Sequence, residues 1–196
     1  RLTDVTGVQT CALPILFATG GIGGVHRGED DDVSQDLKQL ANTPIALVSA
    51  GAKAILDLPR TLEMLETLGV LTIGFQTEQF PAFYTAHSGL SIPRVESEQE
   101  VTQIMQTTWG KLNQNSAILI CNPPPKDKEL EASFVDRIIH DALKSAQKEK
   151  IRGKGLTPFL MEHLEKKSGG KTVETNVALA ESNARLAARI AVAYSG

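Results

Sequence analysis

Three short segments carry residue types that could do chemistry. Lys53 follows Ala50-Gly51-Ala52, directly after the apolar run Ile45-Ala46-Leu47-Val48, and precedes Ile55-Leu56. At the end of a buried strand its ammonium would meet little water, which disfavours the charged form and makes the amine nucleophilic near neutrality. A lysine that snorkels outward from a helix start fits the same letters. Upstream, FATGGIGGVHRG places four glycines among the five residues from Gly20 to Gly24. Such a stretch lets the backbone approach a ligand closely and aim N–H groups at an anion. It lacks the Gly-Lys-Ser/Thr ending of a P-loop, and His26 stands where the dinucleotide fingerprint has its last glycine. A tight turn is the competing reading. His26 and Arg27 could hold a phosphate beside that turn or anchor the loop. Asp32 to Asp36 is the third segment, and Asp32, which ends the acidic run Glu29 to Asp32, is either a metal carboxylate or part of a solvated loop.

The elements that must position these residues alternate between strand and helix. Leu16-Phe17-Ala18 reads as the last turn of a buried strand, which implies sequence upstream of it. Ser34 can cap a short helix through Leu40, and Pro44 opens the strand that Gly51 ends. Ile55, Leu58, Leu62, Leu65 and Leu68 have helical spacing, with Pro59 in the first turn and Gly69 as the stop. A second strand follows from Val70 to Phe75. Ser97 and Glu100 form a capping box that opens a helix toward Trp109, and Ala117 to Cys121 is a third strand, stopped by Pro123 to Pro125. Phe134 to Lys148, Thr157 to Lys167 and Thr172 to Tyr194 read as helices, the last with Leu179, Leu186, Ile190 and Ala193 on one face. This pattern predicts an α/β fold, a mostly parallel sheet flanked by helices, truncated at its N-terminus. Arg1 to Ile15 has no period or cap leading into this pattern. It resembles a translated sequencing adapter and is set aside as a non-native leader, leaving residues 16–196 as one partial domain.

Composition narrows the partners. With 196 residues, 41% of them apolar, the chain can bury one substantial core. A net charge of −3, from 20 Lys+Arg against 23 Asp+Glu, offers no general attraction to nucleic acid or to an anionic membrane, so any phosphate site must be local. Cys11 and Cys121 show neither disulfide nor metal spacing, and the expected compartment is the reducing cytoplasm. No apolar run approaches the ~20 residues that cross a bilayer.

Taken together, FATGGIGGVHRG, then Asp32-Val33-Ser34-Gln35-Asp36-Leu37, then VSAGAKAILDLPRTLE closely resemble the central block of the pseudouridine-5′-phosphate glycosidase family, in order and spacing as well as in letters. The likeness continues through Phe80-Pro81-Ala82-Phe83-Tyr84, Asn122-Pro123, Thr157-Pro158-Phe159-Leu160 and Asn176-Val177-Ala178-Leu179 to Asn183-Ala184-Arg185-Leu186-Ala187. It implies a homotrimer with an α/β/α core that cleaves the C–C glycosidic bond of the small-molecule nucleotide pseudouridine 5′-phosphate, reversibly, to uracil and ribose 5-phosphate. It also implies Mn2+ as the cofactor. Carried over by position, Lys53 matches the lysine that attacks C1′ and forms a ring-opened imine. Asp32 matches the metal aspartate, Ser34, Gln35 and Asp36 the substrate-binding segment, and Asn176 an active-site asparagine. Asp36 could also orient a water, relay a proton or cap a helix.

Two parts of the family pattern have no match here. The general-acid glutamate and a second substrate-binding lysine belong to an N-terminal portion, so the expectation is a chain with little or no turnover. Two other readings use the same residues: a Schiff-base lyase or aldolase acting on another sugar phosphate, and a non-catalytic fragment that binds ribose phosphate.

Overall fold

A computed structural model of the chain describes residues 15–27, 32–151 and 153–196. Most of the stretch set aside as a leader, and the acidic residues 29–31, lie outside the described residues. Ile15 does not: its carbonyl accepts from Ala46 N at 2.8 Å.

Among the described residues, five parallel strands form one sheet, in the order β1 (Leu16–Ala18), β2 (Ala46–Ser49), β5 (Ile118–Cys121), β3 (Leu71–Phe75) and β4 (Arg94–Val95). Phe17 pairs with Leu47, Leu47 with Leu119, and Leu119 with Thr72. Both β2 and β5 are buried along their full length. Strands covered on both faces read as continuous apolar runs, and these two do. β1 differs from the expected buried strand. It lies at the sheet edge with Phe17 54% exposed, because an edge strand has a neighbour on one side only.

The helices follow the local rules closely. Ser34 is the N-cap of α1 (Gln35–Ala41), its Oγ accepting from Asp36 N at 3.2 Å. α2 (Leu58–Thr67) starts three residues later than the apolar spacing from Ile55 implies. Asp57 takes the cap, accepting from Arg60 N at 3.1 Å, and Ile55 and Leu56 form a turn in which Leu56 N donates to the Lys53 carbonyl at 2.9 Å. α3 (Glu98–Met105) has Ser97 Oγ accepting from Glu100 N at 3.3 Å, while the Glu100 carboxylate reaches Glu96 N at 2.8 Å. The helix does not run regularly to Trp109. It widens into a π-type turn over Gln106–Lys111, and Trp109 Nε1 donates to the Ser116 carbonyl at 3.0 Å. α4 (Ala132–Lys148), α5 (Leu156–Ser168) and the 25-residue α6 (Lys171–Ser195) complete the order.

Each face of the sheet has its own core. On one, Leu47, Leu119 and Cys121 pack with Leu37, Leu65 and Ile139 from α1, α2 and α4. On the other, Ala46, Val48, Ile118 and Ile120 meet Val101 and Met105 of α3 and Leu186 and Ile190 of α6. Each fully buried Leu or Ile contributes on the order of 1.5–3 kcal/mol. Leu179, Leu186 and Ile190 share the buried face of α6 as their spacing predicts, with Ala193 half-buried at its end. No described helix is long and apolar enough to cross a membrane.

Candidate active site

The C-terminal ends of β1 and β2 carry the chemistry, as open parallel sheets lead one to expect. Past β1 the chain enters the glycine turn yet stays bonded to the segment that follows β2. Ile22 N donates to the Gly51 carbonyl and Lys53 N to the Ile22 carbonyl, both at 3.0 Å. Lys53 is therefore locked to the glycine turn through its own backbone, and its side chain is half-buried. Among the described residues its ammonium has no hydrogen bond or ion pair.

Gly51 admits a further close approach, by the loop after β3. It adopts φ +75°, and a Cβ there would lie 2.4 Å from the Pro81 carbonyl oxygen. The start of α1 closes on the turn from a second side. Gly23 N donates to Asp36 Oδ2 at 2.7 Å, Ser34 N donates to the Gly24 carbonyl at 2.9 Å, and a Cβ on Gly23 would come within 2.1 Å of Ser34 Oγ. Gln35 is exposed beside them. α6 approaches from a third side, where Asn176 Oδ1 lies 2.8 Å from the position a Cβ on Gly20 would occupy. Four stretches far apart in sequence thus meet at one turn.

His26 and Asp32 sit at its rim. His26 N donates to the Asp32 carbonyl at 2.9 Å, and His26 Nε2 is 4.0 Å from Asp32 Oδ2. The Asp32 side chain is 48% exposed. Arg27 Nε donates to the Leu56 carbonyl and its Nη2 to the Ala54 carbonyl, each at 3.0 Å. Two of its donors therefore hold the turn that follows Lys53, the loop-anchoring alternative of the two read from sequence. A groove of about 360 Å³ lined by Phe17, Thr19, Gly21, Ile22, Asp36 and Gln39 runs beneath the glycine turn along β1. A larger cavity of about 490 Å³, bordered by Arg27, Asp57, His87 and Asp136, does not include Lys53, Asp32 or Asn176.

The family model described as indigoidine synthase A like protein matches residues 9–193. The chain belongs to the indigoidine synthase A-like family. Among curated members of this family it is 52% identical over 196 residues to the pseudouridine-5′-phosphate glycosidase of Caldanaerobacter subterraneus subsp. tengcongensis, covering 97% of this chain and 64% of that protein. It is 49% identical over 195 residues to the protein of the same name from Geobacillus kaustophilus, covering 96% and 64%. The chain thus spans a little under two thirds of the curated relatives it matches. Of solved structures, the prealnumycin C-glycosynthase in complex with ribulose 5-phosphate superposes with a TM-score of 0.86 at 35% identity, over 91% of this chain and 60% of that one. An indigoidine synthase A-like protein from Thermotoga maritima superposes with a TM-score of 0.81 at 38% identity, over 89% and 57%.

In this member of the indigoidine synthase A-like family, sequence reasoning missed one contributor to the turn. Phe83, at φ +67°, donates its N–H to the Ala50 carbonyl at 3.2 Å. Its ring covers the turn so closely that a Cβ on Gly21 would sit 2.6 Å from it. A bulky residue in the left-handed region is held there only when its surroundings over-determine it. No local sequence signal marks such a residue.

Proposed function

We propose that this chain carries the nucleophile half of a pseudouridine-5′-phosphate glycosidase site, with Lys53 as the amine that captures the sugar. The observation that carries this reading is the convergence of Lys53, Ser34, Asp36 and Asn176 on one glycine turn, held there by the segment after β2, the start of α1 and α6. The amine attacks C1′ of pseudouridine 5′-phosphate, the ring C1′–O4′ bond opens with O4′ taking up a proton, and C1′ is left bonded to both the Lys53 nitrogen, now a secondary amine, and the uracil carbon. The nitrogen lone pair then forms the C1′=N imine as the C1′–C5 bond breaks, the bond pair leaves on uracil C5 and takes a proton there, and water hydrolyses the imine to ribose 5-phosphate and the free amine. Covalent capture divides one difficult displacement from a poor leaving group into smaller steps. The steps run in either direction. The C-glycosynthase relative, solved with ribulose 5-phosphate, supports a pentose phosphate as ligand and a C–C glycosidic bond as the bond made or broken.

Ser34, Gln35 and Asp36 bind the substrate at the start of α1, and Asn176 binds it from α6. His26 borders the phosphate while Arg27 holds the turn after Lys53 in shape. Asp32 provides the protein carboxylate for Mn2+. The donor set fits a water-rich site: among the described residues no group of three or more His, Cys, Asp or Glu gathers, and Asp32 is open to solvent. A hard divalent cation is content with one carboxylate plus water and substrate oxygens, and supplies charge neutralisation there when bound. Asp32→Asn is expected to weaken Mn2+ binding at least tenfold by electron paramagnetic resonance titration; unchanged binding would move the ion elsewhere.

The general acid that protonates uracil is assigned by resemblance to a portion this chain does not match, so the 196-residue chain turns over little or no substrate. The whole protein is read as a cytoplasmic homotrimer. The test separates the nucleophile from turnover. Ribose 5-phosphate and borohydride are added to the purified chain, and peptide mapping is expected to find the reduced adduct on Lys53 and none at that position in Lys53→Ala. Adduct spread over surface lysines with Lys53 unmodified would show the wrong nucleophile. Uracil release by the chain alone would overturn the expectation of inactivity, and a cleaved carbon chain would favour an aldolase.

A further inference from the structure

The hydrogen-bond ladder between β1 and β2 breaks at the entrance to the glycine turn. Thr19 N donates to the Val48 carbonyl at 3.0 Å, and a regular parallel ladder would next send Ala50 N to the Thr19 carbonyl. Ala50 N donates instead to the Gly20 carbonyl at 2.9 Å, so the Thr19 carbonyl leaves the ladder. Left without a partner, that partly buried acceptor would destabilise the fold.

Asn183 takes it up. From the middle of α6, its side chain fully buried, it donates Nδ2 to the Thr19 carbonyl at 2.7 Å and more distantly, at 3.5 Å, to the Gly20 carbonyl. Its Oδ1 accepts from Asn122 Nδ2 at 2.9 Å, and Asn122 also donates from Nδ2 to Ser182 Oγ at 3.0 Å and from its backbone to the Ser49 carbonyl at 2.8 Å. Asparagine is a poor residue for a helix interior and carries polar atoms into an apolar core. Here its partners are groups at the C-terminal ends of β1 and β5, and Asn122 carries the network on to the end of β2.

We propose that Asn183 is a positioning residue for the sugar-phosphate site: its carboxamide captures the carbonyl that the broken ladder releases and so sets the course of the glycine turn past Lys53. The path is short. Asn183 holds the peptide between Thr19 and Gly20, the turn continues to Ile22, and the Ile22 carbonyl holds Lys53 N. Two turns earlier on the same helix, Asn176 lies against Gly20, so one face of α6 sets two asparagines against the turn. The functional part of this inference rests on the reading of the site given above.

The test compares Asn183→Leu, which keeps the branched heavy-atom skeleton and removes the carboxamide, with Ser182→Ala, which removes another hydrogen bond of the same network. In Asn183→Leu, amide hydrogen exchange at Ala50, Ile22 and Lys53 is expected to rise at least tenfold relative to the amides of β5, and ribose 5-phosphate affinity by calorimetry to fall at least tenfold. Ser182→Ala is expected to change neither. Wild-type relative exchange at those amides in Asn183→Leu, or the same change in both variants, would overturn the proposal, as would a loosened turn with full affinity. If the unaltered chain binds no ribose 5-phosphate, the reading of the site fails, and the exchange result alone decides the positioning role. Should Asn183→Leu not fold, the scalar coupling across the hydrogen bond from Asn183 Nδ2 to the Thr19 carbonyl carbon is measured in the unaltered protein. Its presence supports the proposal and its absence overturns it.

Discussion

At the scale of single residues, the site depends on where side chains are absent. Gly51 and Gly69 both have left-handed φ, +75° and +70°, but a Cβ on Gly51 would strike the Pro81 carbonyl at 2.4 Å while one on Gly69 would meet nothing within 4 Å. Conformation alone costs about 1 kcal/mol for alanine at such a φ, and a backbone clash adds to it. Gly69→Ala is therefore expected to lower stability by about 1 kcal/mol, and Gly51→Ala by about 3 kcal/mol or more. Urea denaturation of both variants checks this, and equal losses would contradict the close approach. The glycines themselves were plain in the sequence. What each one avoids was not: Ser34 and Asp36 at Gly23, Phe83 at Gly21 and Asn176 at Gly20 come from three other segments.

Among the elements, the junction between α5 and α6 determines where Asn176 and Asn183 stand. Gly169 and Gly170 turn the chain at φ +62° and +85°, and Ser168 Oγ lies 3.0 Å from Thr172 Oγ1 across that turn. Tyr84, from the loop after β3, reaches the same place: its hydroxyl bonds the Thr172 side chain, and its carbonyl accepts from Leu130 N at 2.9 Å. Burial disfavours the phenolate and pushes the Tyr84 hydroxyl up to about 12, an effect only partly offset by the Thr172 hydrogen bond. The folded value lies above the unfolded one, so the stabilisation is fully present below pH 10 and is lost as pH rises through about 12. Tyr84→Phe is expected to lose stability at neutral pH but to show a flatter decline over that alkaline window, measured by denaturation at fixed pH. An unchanged slope would mean that the phenol is not sealed. Near the other end of α6, Arg189 Nε meets Glu98 Oε1 at 2.6 Å and holds that carboxyl below its ordinary range, tying α6 to α3.

For the molecule as a whole, the sheet is graded from edge to centre. β1 leaves Phe17 half exposed, whereas β5, between β2 and β3, is buried along its length and ends in Cys121. Burial pushes the Cys121 thiol well above its usual range, and a thiol that cannot form thiolate does not react. Alkylation of Cys121, followed by peptide mapping to separate it from Cys11, is expected to proceed only at the rate of global unfolding. Labelling faster than the exchange of β5 amides would show that the central strand opens locally.

Much of the fold could be read in the letters because caps, stops and apolar periods act within a few residues. Ser34, Pro59, Ser97 and the run Ile118–Cys121 do in the structure what their neighbours dictate. Lys53 and the glycine turn stood out for the same reason, since a strand end followed by small residues is a local pattern. Tertiary structure alone decided the partners: that Arg27 spends its guanidinium on the carbonyls of Ala54 and Leu56, that Phe83 covers the turn, and that Asn183 receives a carbonyl 164 residues away. Those contacts join segments whose separation in sequence exceeds any helical or strand period. A buried polar group finds its partner only once the sheet and α6 have brought the two together.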